Sequence, residues 1–277
     1  MELTKEQLMQ KLREEHGITE FKTEAQQVRD REYFEKKDKQ DKRYFVWQNT
    51  INHLAVQYSL NPIQKGALLI MSTFLENNGD GKLFDTEGST FTVNKIAELS
   101  GMSTRQARRI IKECENIGAL TIEKVGRNIE ITFTDMLYSC GTLEKNKMDQ
   151  FAKVFKLPIR ELASKFSLKE LGLLADLLPH FHKDSHILCD NPTWNGSEGM
   201  KVWRRKDIVE VTGHNKKFVS ATIMKFIRKG VMLETKRLID VLYLHPDYVS
   251  RSDEKKILDT IKEVASGYAN DSKVKYR

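Results

Sequence analysis

Apolar residues recur at helical spacing in some segments of this chain and alternate with polar residues in others. Residues 4–16 predict a short amphipathic helix. The charged run 29–43 is a solvated helix or a mobile linker, and its Glu, Lys and Arg content favours the helix. Two segments rich in apolar residues follow, from about 45 to 140 and from about 165 to 249. A last helix and a tail are predicted after residue 252.

The two apolar-rich segments contain an internal repeat. Residues 95–103 align with 207–215 at an offset of 112 residues, and Ile, Glu and Gly recur in place. The glycines at 101 and 118 also recur, at 213 and 230, and a weaker upstream match relates Gly66 to Gly172. The repeat predicts that both segments fold in the same way.

Each copy of the repeat predicts a pair of helices. A short first helix ends at a glycine that can adopt a positive φ, and Ser103 or Asn215 then caps a second helix. Apolar stripes lie along the second helices, at Ala107, Ile110, Ile111 and Cys114 and at Val219, Ile223, Phe226 and Ile227. Because the free face of each second helix is polar and basic, the pair is typical of the DNA-binding helix-turn-helix.

Alternating apolar and polar residues follow each helix pair and predict a β-hairpin with a basic tip, at 119–133 and at 231–244. A helix-turn-helix followed by such a hairpin is a winged helix. The first unit, TVNKIAELSGMSTRQARRIIKECENIGALTIEKVGRNIEITF, resembles winged-helix repressors and replication proteins of bacteria, phages and plasmids. The second, with ILCDNPTW, its helix-turn-helix and LYLHPDYVSR, is similar to replication-type and regulatory winged helices of phages and plasmids of Gram-positive bacteria.

These patterns predict a mainly α fold with small β-hairpin wings, in which two winged-helix (helix-turn-helix) domains lie in tandem. The predicted parts are a charged N-terminal helical arm (1–43), a first winged-helix domain (44–140), a helical connector (141–164), a second winged-helix domain (165–251), and a C-terminal helix and tail (252–277).

The positive charge of the chain is concentrated in one stretch. The formal net charge is +7, and residues 150–251 carry 18 basic against 11 acidic side chains, whereas residues 44–140 carry 9 against 10. A concentrated positive field favours an anionic partner, nucleic acid before a membrane surface.

Other features argue against secretion and membrane insertion. The chain has no apolar run of about 18 residues and no apolar signal segment at its start. Its three cysteines are too scattered for a disulfide framework. We therefore expect a cytoplasmic protein with no membrane partner.

The sequence thus predicts a site-specific double-stranded DNA-binding protein that is not an enzyme and that needs no cofactor or metal. In the first copy the predicted DNA contacts are Thr104, Arg105, Gln106, Arg108, Arg109 and Lys112 on the second helix, with Lys124 and Arg127 at the hairpin tip. In the second copy they are Lys216, Lys217, Ser220, Lys236 and Arg237.

Transcription regulation is the preferred process, and plasmid- or phage-type replication initiation is the alternative. The expected partners besides DNA are RNA polymerase or the replication machinery, and a second copy of the chain bound through the N-terminal or C-terminal helix.

Three other patterns suggest chemistry. His180-Phe-His182 matches the metal site of nicking nucleases, with Tyr243 or Tyr248 as the nucleophile, but it follows a helix rather than lying on a strand. The same two histidines with His186 and Cys189 lack a standard zinc spacing. The segment 76–87 imitates a calcium loop but begins with Glu instead of Asp.

Overall fold

The computed structural model describes residues 4–16, 22–77, 80–125, 128–143 and 149–277. The chain divides into two compact units, Met1–Asp41 and Lys42–Arg277. The first unit contains α1 (Lys5–His16) and α2 (Glu24–Lys39), and α2 buries no side chain. Helices were predicted over 4–16 and 29–43; the structure confirms the first, and the second begins earlier and ends at Lys39.

The second unit contains one order of elements twice, with a 3-10 helix and a short strand inserted in the second copy, and this defines a first half (residues 45–139) and a second half (residues 151–250). The first half consists of β1 (Phe45–Asn49), α3 (Thr50–Val56), α4 (Pro62–Ser72), α5 (Val93–Ser100), α6 (Thr104–Asn116), β2 (Leu120–Val125), β3 (Asn128–Phe133) and β4 (Tyr138–Ser139). The second half consists of β5 (Phe151–Phe155), α7 (Lys156–Leu162), α8 (Leu168–Leu177), a 3-10 helix (Leu178–His180), β6 (Lys201–Val202), α9 (Arg205–Thr212), α10 (Lys216–Arg228), β7 (Met232–Lys236), β8 (Asp240–Leu244) and β9 (Val249–Ser250).

One four-stranded sheet joins the two halves. Its strand order is β4-β1-β5-β9, so each half contributes two strands. β1 and β5 pair antiparallel along their whole lengths at the centre, from Phe45 opposite Phe155 to Asn49 opposite Phe151. The hairpins β2–β3 and β7–β8 form two separate antiparallel sheets.

The helices α4 and α8 pack closely across the same junction. A Cβ atom on Gly66 would lie 1.9 Å from the carbonyl oxygen of Leu168, and a Cβ atom on Gly172 would lie 1.9 Å from the carbonyl oxygen of Pro62. The absence of a side chain at both positions therefore allows the two helix backbones to touch. Leu68, Leu69, Leu173 and Leu174 are buried on the same two helices and belong to one core that extends through both halves.

The predicted fold class is wrong. The described residues are 47% helical and 19% strand and form several small sheets, so the fold is a mixed α and β fold rather than a mainly α protein with two winged-helix domains. The predicted connector, expected to be helical over 141–164, contains β5 at its centre and α7 after it. All five side chains of β5 are buried, so it shows none of the alternation that marks a half-exposed strand.

The C-terminal segment also differs from its prediction. Ser252 does not cap the last helix, because its hydroxyl accepts from the amide of Glu254 in a turn and the helix α11 (Leu258–Asn270) begins later. The tail forms β10 (Lys275–Tyr276), which pairs in parallel with β6. Together with the hairpin β7–β8, these elements enclose a small second core around Ile261 and Val274.

Candidate nucleic-acid interface

In the first half, the turn between α5 and α6 has the predicted geometry. α5 ends at Gly101, whose φ of 64° is left-handed and disfavours any residue with a Cβ atom. Ser103 begins α6, where its hydroxyl accepts from the amide of Gln106 and its own amide donates to the side-chain oxygen of Gln106. These contacts fix the direction in which α6 leaves the turn.

The faces of α6 lie as the sequence predicted. Ala107, Ile110, Ile111 and Cys114 are buried, whereas Arg105, Arg108, Arg109 and Lys112 are exposed on the opposite side. Arg105 and Arg108 form no ion pair with any of the described residues. Arg109 lies 3.8 Å from Glu113, and Lys112 pairs with Glu115. The two guanidinium groups without partners are therefore available to a ligand.

Two of the predicted contact residues on α6 have structural partners. The side-chain oxygen of Gln106 belongs to the cap at Ser103, so its amide nitrogen is the group left for an external acceptor. Thr104 is partly buried and its hydroxyl lies 3.4 Å from the side-chain oxygen of Asn94.

The second half repeats this arrangement with different side chains. α9 ends at Gly213, with a φ of 68°, and the side chain of Asn215 accepts from the amide of Lys217 to begin α10. Val219, Ile223 and Phe226 are buried and Ile227 is half-buried, while Lys216, Lys217 and Ser220 are exposed.

Phe218 is held against the protein and is not exposed in the way that Lys216, Lys217 and Ser220 are. Its ring is half-buried, the ammonium nitrogen of Lys169 lies 4.6 Å from the ring centroid, and His214 packs edge-on against it. Phe218 thus anchors α10 on α8.

A groove runs beside each of the two second helices. In the second half it measures about 290 Å³ and is lined by Arg205, Lys206 and Lys216 among others, and in the first half a groove of about 330 Å³ is lined by Arg108 and Lys112 among others. Arg205 and Lys206 were not among the predicted contacts, although the run Arg-Arg-Lys at the start of α9 is a visible signal. Lys112 pairs with Glu115, which also lines the first groove, and Arg205 pairs with Glu234. Among the described residues, Arg108, Lys206 and Lys216 are the groove cations without an ion pair, and such groups suit phosphate.

The hairpin tips are basic where the structure describes them. Lys124, Lys236 and Arg237 are exposed, and Arg127 lies outside the described residues. The hairpin β7–β8 is fixed by the C-terminal segment, because Ile239 donates its amide to the carbonyl of Ala269 and the amide of Asp240 donates to the hydroxyl of Tyr276.

A buried polar cluster that the sequence analysis missed lies between the two halves. The carboxylate of Asp176 on α8 contacts His53 at 2.9 Å, Lys65 at 2.7 Å and His214 at 2.8 Å. Burial acts to raise the pKa of Asp176, but the hydrogen bonds from His214 and His53 and the charge of Lys65 hold that pKa well below its usual range. We call these four residues the Asp176 cluster.

The histidines of the predicted nuclease motif have separate structural roles. His180 packs against the ring of Trp203, and His182 contacts the carbonyl oxygen of Trp194. Of the two tyrosines considered as nucleophiles, Tyr243 is buried. Within the described ranges, no three or more His, Cys, Asp or Glu side chains form a group that could hold a metal ion. His180 and His182 therefore do not belong to such a group.

Acidification is expected to destabilise the protein through His180 and His186. Burial lowers the pKa of each to about 3. Unfolded histidines bind a proton near pH 6.5, so between pH 6.5 and 3 the unfolded chain holds protons that the native chain does not. Stability should then fall with falling pH, by about 1.4 kcal/mol per pH unit for each of the two histidines once the pH is well below 6.5.

Urea unfolding from pH 7 to pH 5 measures this loss. The variant His180→Phe keeps a ring against Trp203 but removes one titrating group, so its stability should depend less steeply on pH by about one proton. An unchanged dependence in this variant would show that His180 is not held neutral in the native state.

Comparison with known proteins finds no relative: no family model matches the sequence, and neither a curated protein nor a solved structure matches it. No helix in the described part of the chain has the length and apolar character needed to cross a membrane.

Proposed function

We propose that this protein binds double-stranded DNA site-specifically, with α6 and α10 each placed in a major groove. The observation that carries the proposal is the pair of equivalent helices whose buried apolar stripes leave a polar, basic face exposed. Arginine is the usual bidentate partner of guanine, and the guanidinium groups of Arg105 and Arg108 form no ion pair within the described residues.

The positive charge of the second half supports the proposal that this half provides much of the binding to DNA phosphates. Its surplus of basic residues includes Lys216 and Lys217 on α10 and Lys206 beside the groove. Lysine binds phosphate as a point charge and carries little sequence information. The first half, with three arginines on α6, should then provide more of the sequence preference.

Replacing Arg105 or Arg109 by alanine is expected to weaken specific binding by about 1–3 kcal/mol each and to relax the sequence preference. The matched comparison is Lys124→Ala at the hairpin tip, which should weaken binding equally on specific and scrambled duplexes and lower the salt slope by about one. Titrations of the three variants on both duplexes at several salt concentrations measure this. Unchanged affinity in both arginine variants would contradict the proposal.

The DNA contacts needed by a transcription regulator and by a replication initiator are the same. We place the protein in the cytoplasm as a transcription regulator, and its three cysteines are unpaired, as a reducing compartment requires. Mapping the genomic DNA that the protein binds tests the process: promoter regions support regulation, whereas clustered sites at one origin would assign the protein to replication initiation.

A further inference from the structure

We infer that the DNA target consists of two inverted half-sites of different sequence, both bound by a single chain. This inference rests on the proposed function and adds the symmetry of the DNA partner. It depends on an approximate two-fold axis between the halves and on the difference between their exposed helix faces.

The central sheet shows the axis directly. Residues of β5 follow their equivalents in β1 at an offset of 106, so Lys153 is the equivalent of Trp47. These two equivalent residues face each other in the antiparallel pair. Equivalent residues can pair with one another in this way only when a two-fold axis passes between them.

The helix contact gives the same axis independently. Gly66 and Gly172 are equivalent at the offset of 106, and so are Pro62 and Leu168. Gly66 touches Leu168 while Gly172 touches Pro62, at the same 1.9 Å from the Cβ position to the carbonyl oxygen. This exchange of partners is the contact pattern of an isologous, two-fold interface.

The two exposed helices are attached to the axis in the same way. The side chain of Gln64 on α4 donates to Glu113 on α6, and the equivalent Glu170 on α8 accepts from the ammonium group of Lys225 on α10. Because both contacts join equivalent positions, α6 and α10 are related by the axis that relates α4 and α8.

A two-fold axis fixes how DNA can meet both helices. Two elements related by it lie at the same height along the axis, and their components perpendicular to the axis point in opposite directions. Duplex DNA has two-fold symmetry of its own, and protein pairs of this symmetry bind half-sites arranged as an inverted repeat. A direct repeat would instead require the two helices to be related by translation along the duplex.

The half-sites differ because the exposed residues differ. Arg105, Arg108 and Arg109 on α6 correspond to Lys217, Ser220 and Ala221 on α10 at the offset of 112. The target is therefore inverted in orientation without being a palindrome in sequence. One chain supplies both helices, so the complex contains one protein chain per target.

Making most of the exposed residues of the two faces alike should bring the two half-sites closer in sequence, although Phe218 and Met224 still differ from Gln106 and Lys112. The four substitutions Lys216→Thr, Lys217→Arg, Ser220→Arg and Ala221→Arg transfer residues of α6 to exposed positions of α10 and leave its buried stripe unchanged. Selection from random duplexes should give a bipartite site for the wild-type protein. For the variant, the second half-site should change toward the inverted sequence of the first, which is the half-site that Arg105→Ala alters.

A second measurement uses the wild-type protein and its own selected site. Because β1–β5 and α4–α8 join the halves, inserting 5 base pairs between the half-sites turns one of them by about half a helical turn away from its helix. Specific affinity should fall at least tenfold, and inserting 10 base pairs should not restore it to the original value.

The outcomes separate the inference from the proposed function. Selected half-sites in direct orientation, or an unchanged target for the symmetrised variant, would overturn the inverted arrangement while leaving DNA binding intact. Two chains on each selected site would overturn the single-chain complex. No enrichment of any duplex by the wild-type protein would refute the proposed function, and the inference would fail with it.

Discussion

Substituting alanine for Gly66 or Gly172 is expected to cost about 3 kcal/mol of unfolding free energy each. The added Cβ atom would lie 1.9 Å from a backbone carbonyl oxygen of the facing helix. No rotamer change relieves such a clash, so α4 and α8 must move apart and loosen the core beside them. Urea unfolding of each variant measures the loss.

The double variant tests whether these two contacts belong to one interface. If Gly66→Ala already separates the helices, Gly172→Ala meets less resistance, so the double variant should lose clearly less than the sum of the single losses. Gly267→Ala is the matched control, because that glycine lies in α11 with no atom within 4 Å of its Cβ position. It should be neutral or stabilise by up to about 1 kcal/mol. Additive losses at Gly66 and Gly172 would contradict a single rigid contact.

The repeat could be predicted from the sequence only where the backbone demands particular residues. Gly101 and Gly213 occupy left-handed turns, and Ser103 and Asn215 cap the helices that follow. These requirements are local and apply equally in both halves, so the same or similar residue types recur at the same spacing. The helix pairs and the hairpins were therefore predicted correctly.

Upstream of the helix pairs, the sequence showed the match of Gly66 to Gly172 but not the equivalence of β1 and β5, which pair with each other at the junction. Where equivalent residues of one chain face each other, they need to be complementary but need not be identical. Trp47 faces Lys153, whose ammonium nitrogen lies 5.1 Å from the centroid of the Trp47 ring. Two tryptophans or two lysines would not fit there equally well. The sequences of β1 and β5 consequently differ, and the connector was assigned as helical.

The candidate site also contains residues that could be predicted from the sequence and residues that could not. The exposed faces of α6 and α10 follow from helical periodicity, so their residues could be named from the sequence. The Asp176 cluster could not be named, because its members come from α3, α4, α8 and the turn before α10. Side chains so far apart along the chain meet only through the packing of α4 on α8.

Replacing Asp176 by asparagine is expected to cost about 3–5 kcal/mol of unfolding free energy. The change would leave the ammonium group of Lys65 buried without an anion, since the side chains of both residues are almost completely excluded from solvent. Asp259→Asn is the control, because Asp259 forms an exposed pair with Lys262 on α11 and should change stability by at most about 0.5 kcal/mol. Urea unfolding at pH 7 compares the two.

The residues at the positions related by the two-fold axis suggest a combined substitution that should restore stability. The positions related to the Asp176 cluster by the repeat are Ile70, Met102, Ile159 and Leu171, so the site related to it by the axis is entirely apolar. We expect the combined change Asp176→Ile, His214→Met, His53→Ile and Lys65→Leu to recover most of the loss caused by Asp176→Asn. Buried charges replaced together by apolar groups of similar volume leave no unpaired ion behind. A combined variant as unstable as Asp176→Asn would instead show that the two related sites differ in shape as well as in polarity.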